Sequence, residues 1–232
     1  MKHVESGTGT PVVFLHAGSG NSRMWEHQLA AFTAAGYRFI AYDRRVQGNA
    51  ADDLEALATQ LALDRFHLVG TAAGGIVAVD YALSFAHRLR SLVIANSIVG
   101  VQDAEYLEMS RRLRPSPQFD ALPAEVRELG PSYRAANPQG ARRWTGLAHH
   151  GAPAAQQAKR NRISFAALET IQLPTLLITG DADLYTPPSV LRLFAACIRN
   201  CESAVIPECG HSAFWEQPEL FNRTVLDFIE KH

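Results

Sequence analysis

The chain is poor in cysteine: Cys197, Cys201 and Cys209 are the only three in 232 residues. An odd number crowded near one end makes no disulfide framework, so a reducing, cytoplasmic setting is the expectation. An excess of either charge is also lacking. Lys and Arg number 22 against 23 Asp and Glu, with no basic tract, so nothing marks a nucleic-acid partner. No apolar run approaches the roughly 18 residues of a membrane-spanning helix, and residues 1–7 hold no signal-peptide-like stretch. The Gly70–Gly75 segment lacks the Gly-x-Gly-x-x-Gly spacing of a dinucleotide site, so no cofactor is expected.

What is present is ordinary for a globular chain, with 47% hydrophobic and 19% charged residues. The length suits one domain over 1–232. Six short apolar runs predict strands: Val12–Leu15, Phe39–Tyr42, Phe66–Val69, Leu92–Ala95, Leu176–Thr179 and Ser203–Ile206. Each is nearly unbroken, as in strands covered on both faces of a mostly parallel sheet. Between them, amphipathic spacing predicts helices over Trp25–Ala35, Asp52–Leu63, Ile76–Leu83 and Pro218–Lys231. This alternation gives an α/β fold class. Residues 101–167 break the rhythm. They are rich in Arg and Pro and lack strand-like runs, which predicts a helical cap inserted between core parts at about 1–100 and 168–232.

The strongest local signal is Val69-Gly70-Thr71-Ala72-Ala73-Gly74, a strand running straight into a helix. Glycines two before and two after Ala72 permit a tight turn that exposes the central side chain. Three further segments stand in order around it. Phe14-Leu15-His16-Ala17-Gly18 follows the first central strand, and Gly180-Asp181-Ala182-Asp183 follows a later one. Pro207-Glu208-Cys209-Gly210-His211-Ser212 precedes the last helix. The chain resembles the α/β-hydrolase superfamily in these motifs and in their order, and its small esterase or lactonase-like members in particular. It departs where the family's nucleophile serine would stand: alanine occupies position 72.

The resemblance implies a role for each matching position. His211 would be the general base and Asp183 the acid that orients it. Asp181 is assigned instead to loop hydrogen bonding. The backbone N–H groups of Gly18 and Ala73 would form the oxyanion hole. The implied activity is hydrolysis of a small ester, lactone or related carbonyl compound, with a small molecule as the partner. Neither Thr71 nor Cys209 is well placed to replace a serine. Two accounts of Ala72 stay open: a serine deliberately replaced, or a natural alanine. In the second account His211 and Asp183 act as a base alone, on water or on a substrate proton, as in a lyase-like or cofactor-free oxygenation reaction. A ligand-binding protein without chemistry is the alternative from another class.

Other residues receive plainer readings. Arg45 is a solvated surface side chain, or else faces the pocket and favours an anionic substrate. The three cysteines are buried and inert in a helix and strand rather than metal ligands. His149 and His150 are surface residues, or else line the pocket. Trp25, Phe214 and Trp215 pack rather than stack on substrate.

Overall fold

An apolar run can be buried on both faces only if alternate side chains find partners above and below the sheet. That condition is met in the computed structural model, which describes residues 1–18, 20–149 and 157–232, the side chain of His149 excepted. Its strands are β1 (His3–Ser6), β2 (Pro11–Leu15), β3 (Arg38–Tyr42), β4 (Phe66–Thr71), β5 (Leu89–Ala95), β6 (Thr175–Gly180) and β7 (Cys201–Ile206). They lie in the order β1-β3-β2-β4-β5-β6-β7. Only β1 is antiparallel to its neighbour, pairing His3 with Tyr42. The five other pairings are parallel.

All six expected strands are present. The edge strand β1 carries no apolar run and was not expected. At the other edge the expectation needs correction: β7 is largely exposed, with Val205 45% accessible, because no strand covers its outer side.

The helices are α1 (Glu26–Ala34), α2 (Ala50–Gln60), α3 (Ala73–Phe85), α4 (Ala104–Leu113), α5 (Ala124–Glu128), α6 (Pro131–Ala136), α7 (Pro138–His149), α8 (Phe165–Glu169), α9 (Pro188–Ala195), α10 (Ala213–Glu216) and α11 (Pro218–Ile229). The alternation of β2 divides the core. Val13 and Leu15 face α2, α3 and α9 through Leu54, Leu57, Tyr81 and Phe194. Val12 and Phe14 face α1, α10 and α11 through Phe32, Phe214, Phe221 and Val225. Helix α2 starts two residues before the expected Asp52. The Asn49 side chain caps it, accepting from the N–H groups of Ala51 and Asp52.

The described part of 101–167 adds helices and no strand to the sheet. Its helix α7 buries Trp144 and Leu147 against the α1/α11 side of the core. Among the described residues, no helix is long and apolar enough to cross a membrane.

Candidate active site

Parallel strands carry their loops of interest at their carboxyl ends, and the expected site residues all follow such ends. Ala72 sits between β4 and α3 with φ 49° and ψ −116°, a strained conformation costing an L-residue about 1–3 kcal/mol. The surroundings hold it there. Its N–H donates to the Ala95 carbonyl at 3.0 Å, and its own carbonyl accepts from the Ser97 hydroxyl at 2.6 Å. Gly74 lets the helix start press on the preceding loop: a Cβ there would overlap the carbonyl oxygens of Leu15 and His16.

His211 and Asp183 meet across the loops after β7 and β6. The His211 Nδ1 lies 2.9 Å from both Asp183 oxygens. Asp183 is itself fastened: Oδ1 accepts from the N–H groups of Tyr185 and Thr186, at 2.7 and 2.9 Å. Oδ2 accepts from Asn96 Nδ2 at 3.0 Å. Burial alone would raise this carboxyl, but the His211 charge and these donors outweigh it, and Asp183 is held down at about 2. Burial likewise works against an imidazolium at His211, yet Asp183 and then Glu128 prevail and raise its pKa above the ordinary value. Asp181 stays outside this pair, its Oδ1 accepting from the Cys209 N–H at 3.3 Å.

One cavity of about 350 Å³ brings the elements together. It is lined by Ala17, Gly18, Ala72, Ala73, Ile76, Ile98, Arg127, Glu128, Tyr185 and His211. A volume of this size suits a small organic molecule. The loop carrying Gly18 is pinned from behind by His16, whose Nε2 accepts from the Arg44 N–H at 3.0 Å. Burial and the Arg44 charge lower the His16 pKa to about 4, so the ring is neutral at pH 7. Among the described residues, no acceptor takes the N–H of Gly18 or Ala73.

Two carboxyl groups were missed in the sequence. Glu128, at the end of α5, accepts the His211 N–H through its backbone carbonyl at 2.8 Å. Its side-chain Oε2 stands 4.0 Å from His211 Nε2. Burial pushes the Glu128 carboxyl up, although the neighbouring His211 charge pulls it down. Glu216 is buried behind the histidine loop and accepts from the N–H groups of Gly130, Gly210 and Ser212. Burial raises it to about 7. Neither residue belongs to a recognisable motif. Tyr185 adds a ring packed against His211, tilted by 37° with centroids 4.3 Å apart.

The remaining candidates lie elsewhere. Arg45 is exposed and pairs with Asp53, away from the cavity. Thr71 is fully buried. Cys209 is also buried on its loop, where desolvation raises its thiol pKa. Cys197 and Cys201 are only half-buried, which corrects the expectation of a fully buried set; Cys197 lies just past α9, and Cys201 opens the edge strand β7. Among the described residues, no three His, Cys, Asp or Glu side chains gather as a metal site requires. Trp25, Phe214 and Trp215 are packed within the core, Trp25 against Phe214 at 4.6 Å. The expectations for His149 and His150 concern a side chain and a residue outside the described ones.

Comparison with known proteins gives a consistent picture. The sequence pattern of the Alpha/beta hydrolase family matches residues 12–224. A Mycobacterium tuberculosis protein provisionally named a non-heme bromoperoxidase is 30% identical, over 99% of this chain and 97% of its own. A 2-hydroxy-6-oxononadienedioate/2-hydroxy-6-oxononatrienedioate hydrolase of Paraburkholderia xenovorans is 28% identical, over 99% and 90%. The solved structure of a thermophilic esterase from Thermogutta terrifontis superposes with a TM-score of 0.84 at 26% identity, over 99% of this chain and 93% of that one.

Proposed function

The chain belongs to the alpha/beta hydrolase family, and from that premise we propose that it is a hydrolase of a small ester, lactone or related carbonyl compound. One observation carries the reading. The strained corner at Ala72, Gly18, Ala73 and His211, the last held from behind by Asp183, line a single small cavity.

In this reading the substrate carbonyl lies against the N–H groups of Gly18 and Ala73, which stabilise negative charge developing on its oxygen. Asp183 orients the imidazole through Nδ1, leaving Nε2 to exchange protons with the reacting atoms. The helices of 101–167 act as a cap, and Arg127 and Glu128 are their contribution to the cavity wall. The methyl of Ala72 cannot attack a carbonyl or hold an acyl group, so in this chain the attacking group is water. With serine at 72, the same surroundings support an acyl-enzyme route.

Ala72→Ser tests the proposal. Short esters and lactones should be hydrolysed faster by the serine variant than by the parent chain. No gain on any of them would overturn the serine route.

A further inference from the structure

We propose that Glu128 is a catalytic residue, the base that takes a proton from the attacking water when alanine occupies position 72. This rests on the hydrolase reading. The problem it solves is geometric and chemical. His211 has carboxyl groups on both sides of its ring, Asp183 at 2.9 Å from Nδ1 and Glu128 at 4.0 Å from Nε2. With a carboxylate beside Nε2, that nitrogen can enter the reaction carrying the proton the leaving oxygen needs, while Glu128 accepts one from water. Serine attack cannot occur, since the chain has no hydroxyl at 72. Some other group facing the cavity must then activate water.

Glu128 is the cavity-lining group that can do so. Asp183 lies behind the ring and is committed to donors from Asn96, Thr179, Tyr185, Thr186 and His211 itself. Tyr185 is a phenol held at about 12, chiefly by burial, and Arg127 is a cation. The Glu128 carboxyl is also fixed relative to the histidine, because its own backbone carbonyl accepts the His211 N–H at 2.8 Å. A water about 2.8 Å from each of two groups spans the 4.0 Å between Oε2 and Nε2. Both residues line the cavity that Gly18 and Ala73 also line.

The step balances. A water O–H bond breaks, its proton passing to Glu128 and its electron pair forming a C–O bond to the carbonyl carbon. The displaced carbonyl pair moves to the oxygen facing Gly18 and Ala73. On collapse the bond to the leaving oxygen breaks, and that oxygen takes the proton from His211 Nε2. The proton on Glu128 then returns to Nε2. The sum is one ester and one water giving one acid and one alcohol.

The test uses five proteins: the parent, E128Q, E128D, A72S and A72S/E128Q, assayed on p-nitrophenyl acetate and a simple lactone. General-base catalysis is worth about 10²–10⁴-fold, so E128Q should lower kcat of the parent at least about 100-fold. The loss on adding E128Q to A72S should be under about tenfold in the acylation burst of p-nitrophenol release, because serine attack forms the acyl-enzyme without water and only its later hydrolysis needs one. E128D, which keeps a carboxylate, should restore part of the parent rate, and thermal unfolding checks that each variant is folded. Equal losses in both backgrounds would mean Glu128 only shapes the site and would overturn the proposal. So would a parent rate no higher than buffer, or unchanged by E128Q, while A72S turns over. If neither the parent nor A72S hydrolyses any ester or lactone, the hydrolase reading itself falls, and this proposal with it.

Discussion

Asn96 donates from one side-chain nitrogen to Asp183 Oδ2 at 3.0 Å and to the Gly210 carbonyl at 3.1 Å. A primary amide has two hydrogens, so both bonds form together. A residue just past β5 thereby ties the acid loop to the histidine loop, independently of the bond between Asp183 and His211.

Replacing Asn96 with glycine removes that tie, together with the 3.4 Å bond that Asn96 Oδ1 accepts from the Ala213 N–H. The backbone there has φ 48°, which glycine adopts without strain. A hydrogen bond to a charged group contributes about 1.5–3 kcal/mol, so kcat for ester hydrolysis in an A72S background should fall about tenfold or more. Steady-state kinetics measure it; an unchanged kcat would show that the tie has no part in positioning the pair.

Asp183→Asn should move the titration of His211 downward. Burial favours the neutral ring, and the largest opposing influence is the Asp183 charge. Imidazole NMR shifts followed against pH read this directly, and an unmoved midpoint would contradict the account. The parent's pH–stability curve follows from the same pair. Asp183, depressed from 3.8 to about 2, contributes stability that is complete above 3.8 and lost as pH falls through 2. His211, raised from 6.5, contributes stability that is complete below 6.5 and lost as pH rises through its folded value. The stabilisation from the pair should therefore be greatest between these limits, and the asparagine variant should flatten that rise in urea unfolding.

Gly74→Ala should destabilise the protein by about 3 kcal/mol or prevent folding, at the upper end of the cost of forced overpacking. The added methyl meets the backbone carbonyls of Leu15 and His16, which cannot rotate aside as a side chain would. Denaturant melts report the change. A variant as stable as the parent would mean that the corner does not press on the Gly18 loop.

Much of this architecture is legible in the sequence because it is local. Val12–Leu15 and Leu176–Thr179 read as strands from their unbroken apolar character, and the Gly70–Gly74 spacing marks the turn directly. The edge strand His3–Ser6 has no such run, since it pairs on one side only, with β3. Asn49 is hidden as a cap because Asp52 and Asp53, three and four residues on, also suit a helix start. The support of the site was illegible for a different reason. Glu216 reaches Gly130 across 86 residues, and Asn96 reaches Asp183 across 87. Nothing in their neighbouring residues distinguishes Glu128 or Glu216 from a surface carboxylate; the contacts of Glu128 and Gly130 with the histidine loop leave Glu128 half-buried and Glu216 buried.

The most direct measurement is covalent labelling of A72S with a fluorophosphonate, which requires an activated hydroxyl, a histidine within reach and oxyanion donors on one side of it. Intact-mass and peptide mass spectrometry should find one adduct per chain, on the residue at position 72, and none in A72S/H211A. A folded A72S protein that takes up no label would contradict the claim that this corner, His211 with Asp183, and the two backbone amides make one reaction centre.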